Sequence, residues 1–152
     1  MKRFASIICV LTLALWLAAC GGEKITLHMQ GAVQSNDIRV TPTELVVSGK
    51  KLWIKLIVQN ATAGTLLIQR DQIVAHLPNG MTLTRAIGSG AWGYVPSHEP
   101  YVVPPGAMHP VYFEYDEQGF KWKDIGSVQI DFGGAITNNG QPVVVPPFVI
   151  SQ

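Results

Sequence analysis

The chain has 152 residues, of which 47% are hydrophobic and only 14% are charged, and its formal net charge at pH 7 is +1. It contains no run of basic residues, which excludes the electrostatic footprint expected of a nucleic-acid-binding protein. Both cysteines, Cys9 and Cys20, lie in the first twenty residues, so we expect the rest of the chain to fold without a disulfide.

The first nineteen residues have the three parts of a secretory signal peptide. Lys2 and Arg3 precede an uncharged, largely apolar run at 4–17, and small residues follow it. The run is shorter than the roughly 18 to 20 apolar residues that span a bilayer as a helix. We therefore expect cleavage, with an uncleaved N-terminal anchor helix as the alternative.

The end of this run is Leu17-Ala18-Ala19-Cys20, followed by Gly21. It resembles the lipobox of bacterial lipoproteins. The resemblance implies that the chain is cut before Cys20, that diacylglycerol is attached to the Cys20 thiol, and that the new N-terminus is often acylated. Gly21 stands where Asp is associated with retention in the inner membrane. The implied location is the outer membrane, facing the periplasm, or the cell membrane if the source has only one.

These features divide the chain into a removed signal peptide (1–19), a lipidated cysteine with a short tether (20–24) and one domain (25–152). We expect the membrane to be a partner through the lipid on Cys20, and no cofactor. The alternative is that Cys20 follows an ordinary cleavage site by chance.

Short segments of alternating polar and apolar residues begin at 25–30 and predict strands. Residues 44–48 and 51–59 predict a β-hairpin around Gly49-Lys50. Within it, Leu52, Ile54, Leu56 and Val58 share one face, which is the clearest predicted core face in the sequence.

Downstream, residues 66–77 predict a long extended stretch that bends in the middle, and Asn79-Gly80 is a strong hairpin-turn signal. Further strands are predicted at 81–85, 109–115, 127–132 and 143–150. The Pro146-Pro147 pair predicts that the last strand is either an edge strand or broken there. Seven to nine short strands with frequent turns and no long helical period predict an all-β, antiparallel β-sandwich.

Three segments resemble immunoglobulin-like exported bacterial domains of unknown function. They are residues 52–62, which end in Asn60-Ala61-Thr62, the Pro105-Gly106 turn before a strand, and the strand at 127–132. The resemblance implies an immunoglobulin-like sandwich and no particular activity. The insertion at 88–102 is not part of that pattern.

The insertion at 88–102 carries three aromatic residues, Trp92, Tyr94 and Tyr101. Long loops of this kind often bind partners, and Trp and Tyr combine a large contact area with few rotatable bonds. We predict that the three residues contact an envelope protein, a glycan or lipid. The alternative is that they fold back and cover one end of the sandwich.

The sequence lacks the Gly-x-Ser-x-Gly and Gly-Lys-Ser/Thr motifs. We therefore predict a non-enzymatic binding or accessory module with no catalytic residue and no metal site. The alternative is an envelope enzyme or metal-dependent factor that uses His98, Glu99 and His109, although His98 and His109 are further apart than compact zinc motifs require. A third hypothesis is an accessory subunit whose exposed strand edges pair with a neighbour.

Overall fold

The computed structural model describes residues 28–29, 31–48, 51–84, 99–116 and 126–151. Within these ranges the chain forms thirteen antiparallel strands and one 3₁₀ turn, η1 (Arg70–Gln72). The strands are β1 (His28–Met29), β2 (Val33–Ser35), β3 (Ile38–Ser48), β4 (Lys51–Asn60), β5 (Leu66–Ile68), β6 (Val74–His76), β7 (Thr82–Leu83), β8 (Tyr101–Val103), β9 (Met108–Asp116), β10 (Ser127–Asp131), β11 (Ile136–Asn138), β12 (Gln141–Pro142) and β13 (Phe148–Ser151).

One layer of the sandwich is a continuous sheet with the order β2-β3-β4-β9. Its long strands follow from the alternation in β4, which places the predicted row of Leu52, Ile54, Leu56 and Val58 inward, where all four are fully buried. The β3–β4 pairing shifts between Pro42 and Glu44, which leaves one extra residue and bends the strand.

The second layer consists of two sheets, with the orders β1-β13-β10-β6-β7 and β12-β11-β5-β8. Two interrupted strands run through both sheets: β5 continues into β6 after η1, and β10 continues into β11. The antiparallel register is almost continuous across the interruption, because Ile130 pairs with Ala75 and Ile136 with Ile68. The backbone N–H of Gln69 donates to the carbonyl of Ala135 at 2.8 Å and joins the two halves at the bend.

Buried hydrophobic side chains from all three sheets form one core cluster. Burial of a side chain such as Phe113 or Ile130 contributes roughly 1.5–3 kcal/mol. The hydroxyl of Tyr115 on β9 donates to the carbonyl of Ile73 at 3.0 Å, so a polar contact also connects the two layers. Burial raises the pKa of the Tyr115 phenol well above its ordinary value.

The predicted all-β antiparallel sandwich is confirmed, as are the 44–59 hairpin, the bend within 66–77 and the turn at Asn79-Gly80. The strand number differs from the predicted seven to nine because several extended stretches are interrupted and leave strands of two or three residues. The last strand begins at Phe148, directly after Pro147, and lies between β1 and β10. Of the two expectations for Pro146-Pro147, the structure therefore shows the break and not an edge strand.

Candidate contact surface around Tyr101

The described residues include three of the predicted site residues, namely Glu99, Tyr101 and His109. Cys20, Trp92, Tyr94 and His98 lie outside the described residues. Tyr101 lies near the end of the insertion at 88–102 and begins β8, and His109 is near the start of β9. The structure brings Tyr101 and His109 together, with ring centroids 5.4 Å apart.

Tyr101 is held by several contacts of different chemistry. Its hydroxyl lies 3.2 Å from both the backbone N–H and the carbonyl oxygen of Tyr112, so it accepts from the first and donates to the second. The guanidinium carbon of Arg70 lies 4.8 Å from the centre of its ring, within the range of a cation–π interaction. Tyr101 is half-buried and fixes the point at which the loop rejoins the sheet.

His109 and Glu99 make contacts that do not bring them to a common site. The His109 Nδ1 lies 2.7 Å from the carbonyl oxygen of Pro110. The Glu99 carbonyl accepts from the Arg70 guanidinium at 3.4 Å, and the Glu99 residue is exposed. Across the described part of the chain, no three His, Cys, Asp or Glu residues form a group that could hold a metal ion. The alternative site formed by His98, Glu99 and His109 stays a prediction, because His98 lies outside the described residues.

Strand β9 has no strand partner on its outer side among the described residues, and at Pro110 and Tyr112 its backbone groups on that side are missing or already bonded. Pro110 has no backbone N–H, and its carbonyl faces the His109 ring. Two residues further on, the hydroxyl of Tyr101 engages both backbone polar groups of Tyr112. An added strand would need these groups as partners, so this part of β9 is protected against strand addition.

A groove of about 320 Å³ lies on the outer face of the β4–β9 pair. Met108 is 67% exposed at one side of it. The Lys55 ammonium lies 5.4 Å from the centre of the Tyr112 ring, so the groove combines apolar surface with a positive charge. Its lining residues are Lys55, Ile57, Met108, His109, Pro110 and Tyr112.

A second polar feature, centred on Asn60, links three segments at the end of β4. The Asn60 side-chain amide donates to the carbonyls of Gly64 at 2.8 Å and Val103 at 2.9 Å. Its side-chain oxygen accepts from the N–H and the hydroxyl of Thr62. Its backbone exchanges hydrogen bonds with Gly106 and Ala107. Two segments that resembled immunoglobulin-like domains in the sequence therefore meet in space.

Sequence reasoning missed three buried polar residues, Asn60, Arg70 and Glu114. For Asn60 the sequence does contain a signal, because Asn60 lies two residues after Val58 and so faces the same, inward side. Arg70 likewise lies two residues after Ile68 and four after Leu66, both of which face inward. Glu114 is buried on the opposite face from its neighbours in β9 and accepts a hydrogen bond from the Trp53 indole, and alternation alone does not predict this.

No protein-family model matches the chain, and no curated protein matches it significantly. Two solved structures share 14% sequence identity with it. One, the X-ray structure of Northeast Structural Genomics Consortium target SoR45, has a TM-score of 0.46, with 78% of this chain and 89% of that chain covered. The other, a functionally unknown protein from Listeria monocytogenes EGD-e, has a TM-score of 0.49, with 84% and 88% covered. Neither likeness bears on function.

Proposed function

We propose that the protein is a lipoprotein of the bacterial cell envelope, with an all-β domain that serves as a non-enzymatic binding or accessory module. The observation that carries this proposal is Leu17-Ala18-Ala19-Cys20 at the end of an apolar run. Two acyl chains on a diacylglyceryl thioether give stable membrane attachment, whereas a single chain gives only marginal binding. Because residue 21 is Gly and not Asp, we assign the protein to the outer membrane, facing the periplasm, in a source with two membranes, and to the cell membrane in a source with one.

The distance between the proposed anchor and the folded domain is short. Seven residues lie between Cys20 and His28, where β1 begins, so eight Cα–Cα steps connect the two. Fully extended, this length of chain reaches at most about 28 Å. The lipid on Cys20 would therefore hold the domain close to the membrane surface. Within the described ranges, no helix is long and apolar enough to cross a bilayer.

For the binding role, Trp92, Tyr94 and Tyr101 are the proposed contact residues for an envelope protein or glycan. The contacts of Tyr101 with Arg70, His109 and Tyr112 support a firmly held loop end next to the groove on the β4–β9 pair. A held loop end lowers the entropy that is lost when the loop binds.

Envelope fractionation tests the anchoring directly. A Cys20→Ala variant should leave the membrane fraction while its folded domain remains intact. Cys9→Ala is the matched control, because Cys9 lies in the removed segment, and this variant should remain membrane-bound. Retention of Cys20→Ala in the membrane fraction would contradict the proposal.

Cross-linking of the native lipoprotein to its neighbours in its own membrane tests whether the loop at 88–102 binds a partner. Replacing Trp92 and Tyr94 together by Ala should reduce specific cross-links without lowering the melting temperature. Tyr101→Phe, which removes the hydroxyl held by Tyr112, should lower the melting temperature by itself. If the double variant loses stability and keeps its cross-links, the loop covers the core and does not bind a partner.

A further inference from the structure

The anchor position and the strand register together determine which end of the domain is nearest to the proposed lipid. His28 at the start of β1 pairs with Ser151, and Ser151 also pairs with Ser127 at the start of β10. On the other side of β10, His76 at the end of β6 leads into the turn at 77–81. We call this end, marked by His28, Ser127, Ser151 and the turn at 77–81, the tether end.

The opposite end of the sandwich is marked by residues 60–65, 104–107 and 138–140, and we call it the far end. These segments are joined there, since the N–H of Gly106 donates to the Asn60 carbonyl and the N–H of Asn139 donates to the Thr65 carbonyl. Strand β4 alone has ten residues, which corresponds to a length of about 33 Å. The two ends are therefore separated by more than the extended tether can reach.

A groove lies next to the tether end. It has a volume of about 210 Å³, lies on the outer face of the sheet and is lined by His76, Leu77, Pro78, Ser127, Gln129 and Val149. None of these six residues is acidic, and none is Lys or Arg. Gln129 pairs with both Val149 and His76, so the three lie in one row across the outer face, and Val149 is 46% exposed.

A second groove of the same volume lies near the far end and, unlike the first, has charged lining residues. Asp37 and Arg39 line it, together with Gln34, Gln59 and Ala61. Moving an ionised group towards a low-dielectric surface costs far more desolvation free energy than moving an uncharged polar group, and an apolar group has no such cost. On the tether-end face, the next acidic residue along β10 is Asp131, and its carboxylate already accepts from the N–H of Gly133 at 2.7 Å.

We propose that the tether end, with this groove beside it, faces the lipid headgroups, so that the domain stands on the membrane with its far end pointing away. This inference rests on the proposed lipid anchor at Cys20. The short tether brings this end to the bilayer, and the described residues that line the groove include no acidic residue and no Lys or Arg. The outer face of the β4–β9 pair remains available to partners in the envelope.

The test places a fluorescent label at either end of the lipidated, full-length mature protein. Gln129→Cys labels the tether-end groove, and Gln141→Cys is the matched control, because both glutamines are exposed. The labelled proteins are reconstituted into vesicles of phosphatidylethanolamine and phosphatidylglycerol that contain a lipid with a nitroxide on its headgroup. The label at position 129 should be quenched severalfold more strongly than the label at 141.

A second pair, Val149→Cys and Val144→Cys, repeats the comparison with different side chains and should give the same asymmetry. Equal quenching within both pairs, or stronger quenching at 141 and 144, would overturn the orientation. A cross-linked dimer at position 129 without quenching would also overturn it, in favour of a second copy on this face.

The wild-type protein separates failure of the orientation from failure of the anchor. Its only cysteine after processing is Cys20, whose thiol is blocked if it carries diacylglycerol, so wild-type protein should take up no label. Labelling of wild-type protein would overturn the anchor, and the orientation with it. Unlabelled wild type with equal quenching at the two ends would overturn the orientation alone.

Discussion

At the far end, polar side chains and backbone groups connect three separate segments, whereas among the described residues of the tether end the turn at 77–81 meets neighbouring strand termini. Asn60 alone connects β4, the turn at 61–65 and the loop at 104–107. The turn at 77–81 is stabilised by hydrogen bonds within itself, from Leu77 to Met81 and from Gly80 to Leu77. The stabilising network therefore lies away from the proposed membrane surface, and the two ends should respond differently to substitution.

Asn60→Ala should give the largest effect. It removes the donors to the Gly64 and Val103 carbonyls and the acceptor of the Thr62 N–H and hydroxyl in a fully buried position, and losing these hydrogen bonds together should lower the free energy of unfolding by about 3 kcal/mol. Urea denaturation of the purified protein measures this. Gln59→Ala, at the exposed neighbouring position, should change it by less than about 0.5 kcal/mol. Equal effects of the two variants would contradict the importance of the network.

Gly64→Ala should give the next largest effect, because a Cβ atom at this position would lie 2.0 Å from the Asn138 side-chain oxygen. Forcing these groups apart should lower the free energy of unfolding by roughly 1–3 kcal/mol. Gly134→Ala is the matched control, since a Cβ atom there meets nothing within 4 Å. If both variants melt at the same temperature, the close approach at the far end does not limit stability.

Tyr115→Phe tests the contact between the layers, and its effect should depend on pH. At neutral pH the lost hydrogen bond to Ile73 should lower the free energy of unfolding by about 1 kcal/mol. Burial raises the pKa of Tyr115, so its contribution is present below the tyrosine pKa of the unfolded chain, near 10, and is lost as the pH rises above about 10. Denaturation at increasing alkaline pH should show a shallower loss of stability in Tyr115→Phe than in wild type. Parallel curves would contradict this assignment.

Thr82→Val, at the tether end, should give the smallest effect. It removes the 3.1 Å contact between the Thr82 hydroxyl and His76 Nδ1, which is exposed to solvent. The expected change in the free energy of unfolding is below about 0.5 kcal/mol. A loss as large as that of Asn60→Ala would remove the proposed difference between the two ends.

The alternation of the sequence predicts the layer containing β4 well, because β3, β4 and β9 are long and the inward row of β4 is purely apolar until Asn60. It predicts the second layer less well. Two strands there are interrupted between 69 and 73 and between 132 and 135, and the interruptions match each other only through tertiary pairing. The central position of β13 is also non-local, since its neighbours β1 and β10 are distant in sequence.

In the candidate site, too, local sequence features predict some residues, whereas the contacts between distant residues do not follow from the sequence. The sequence identifies Tyr101 as notable because of its loop, but the groups that hold it come from residues 70, 109 and 112 and meet only after folding. The tether-end groove is likewise assembled from β6, β10 and β13, and no local motif marks it.

The most direct test of the account is mass spectrometry of the mature N-terminus isolated from the native membrane. The proposed lipoprotein predicts a chain that begins at Cys20 and carries diacylglycerol on its sulfur, with or without a further acyl group on the new amino group. A mature chain that begins elsewhere, or that has an unmodified Cys20, would contradict the anchor and the membrane-facing orientation that rests on it.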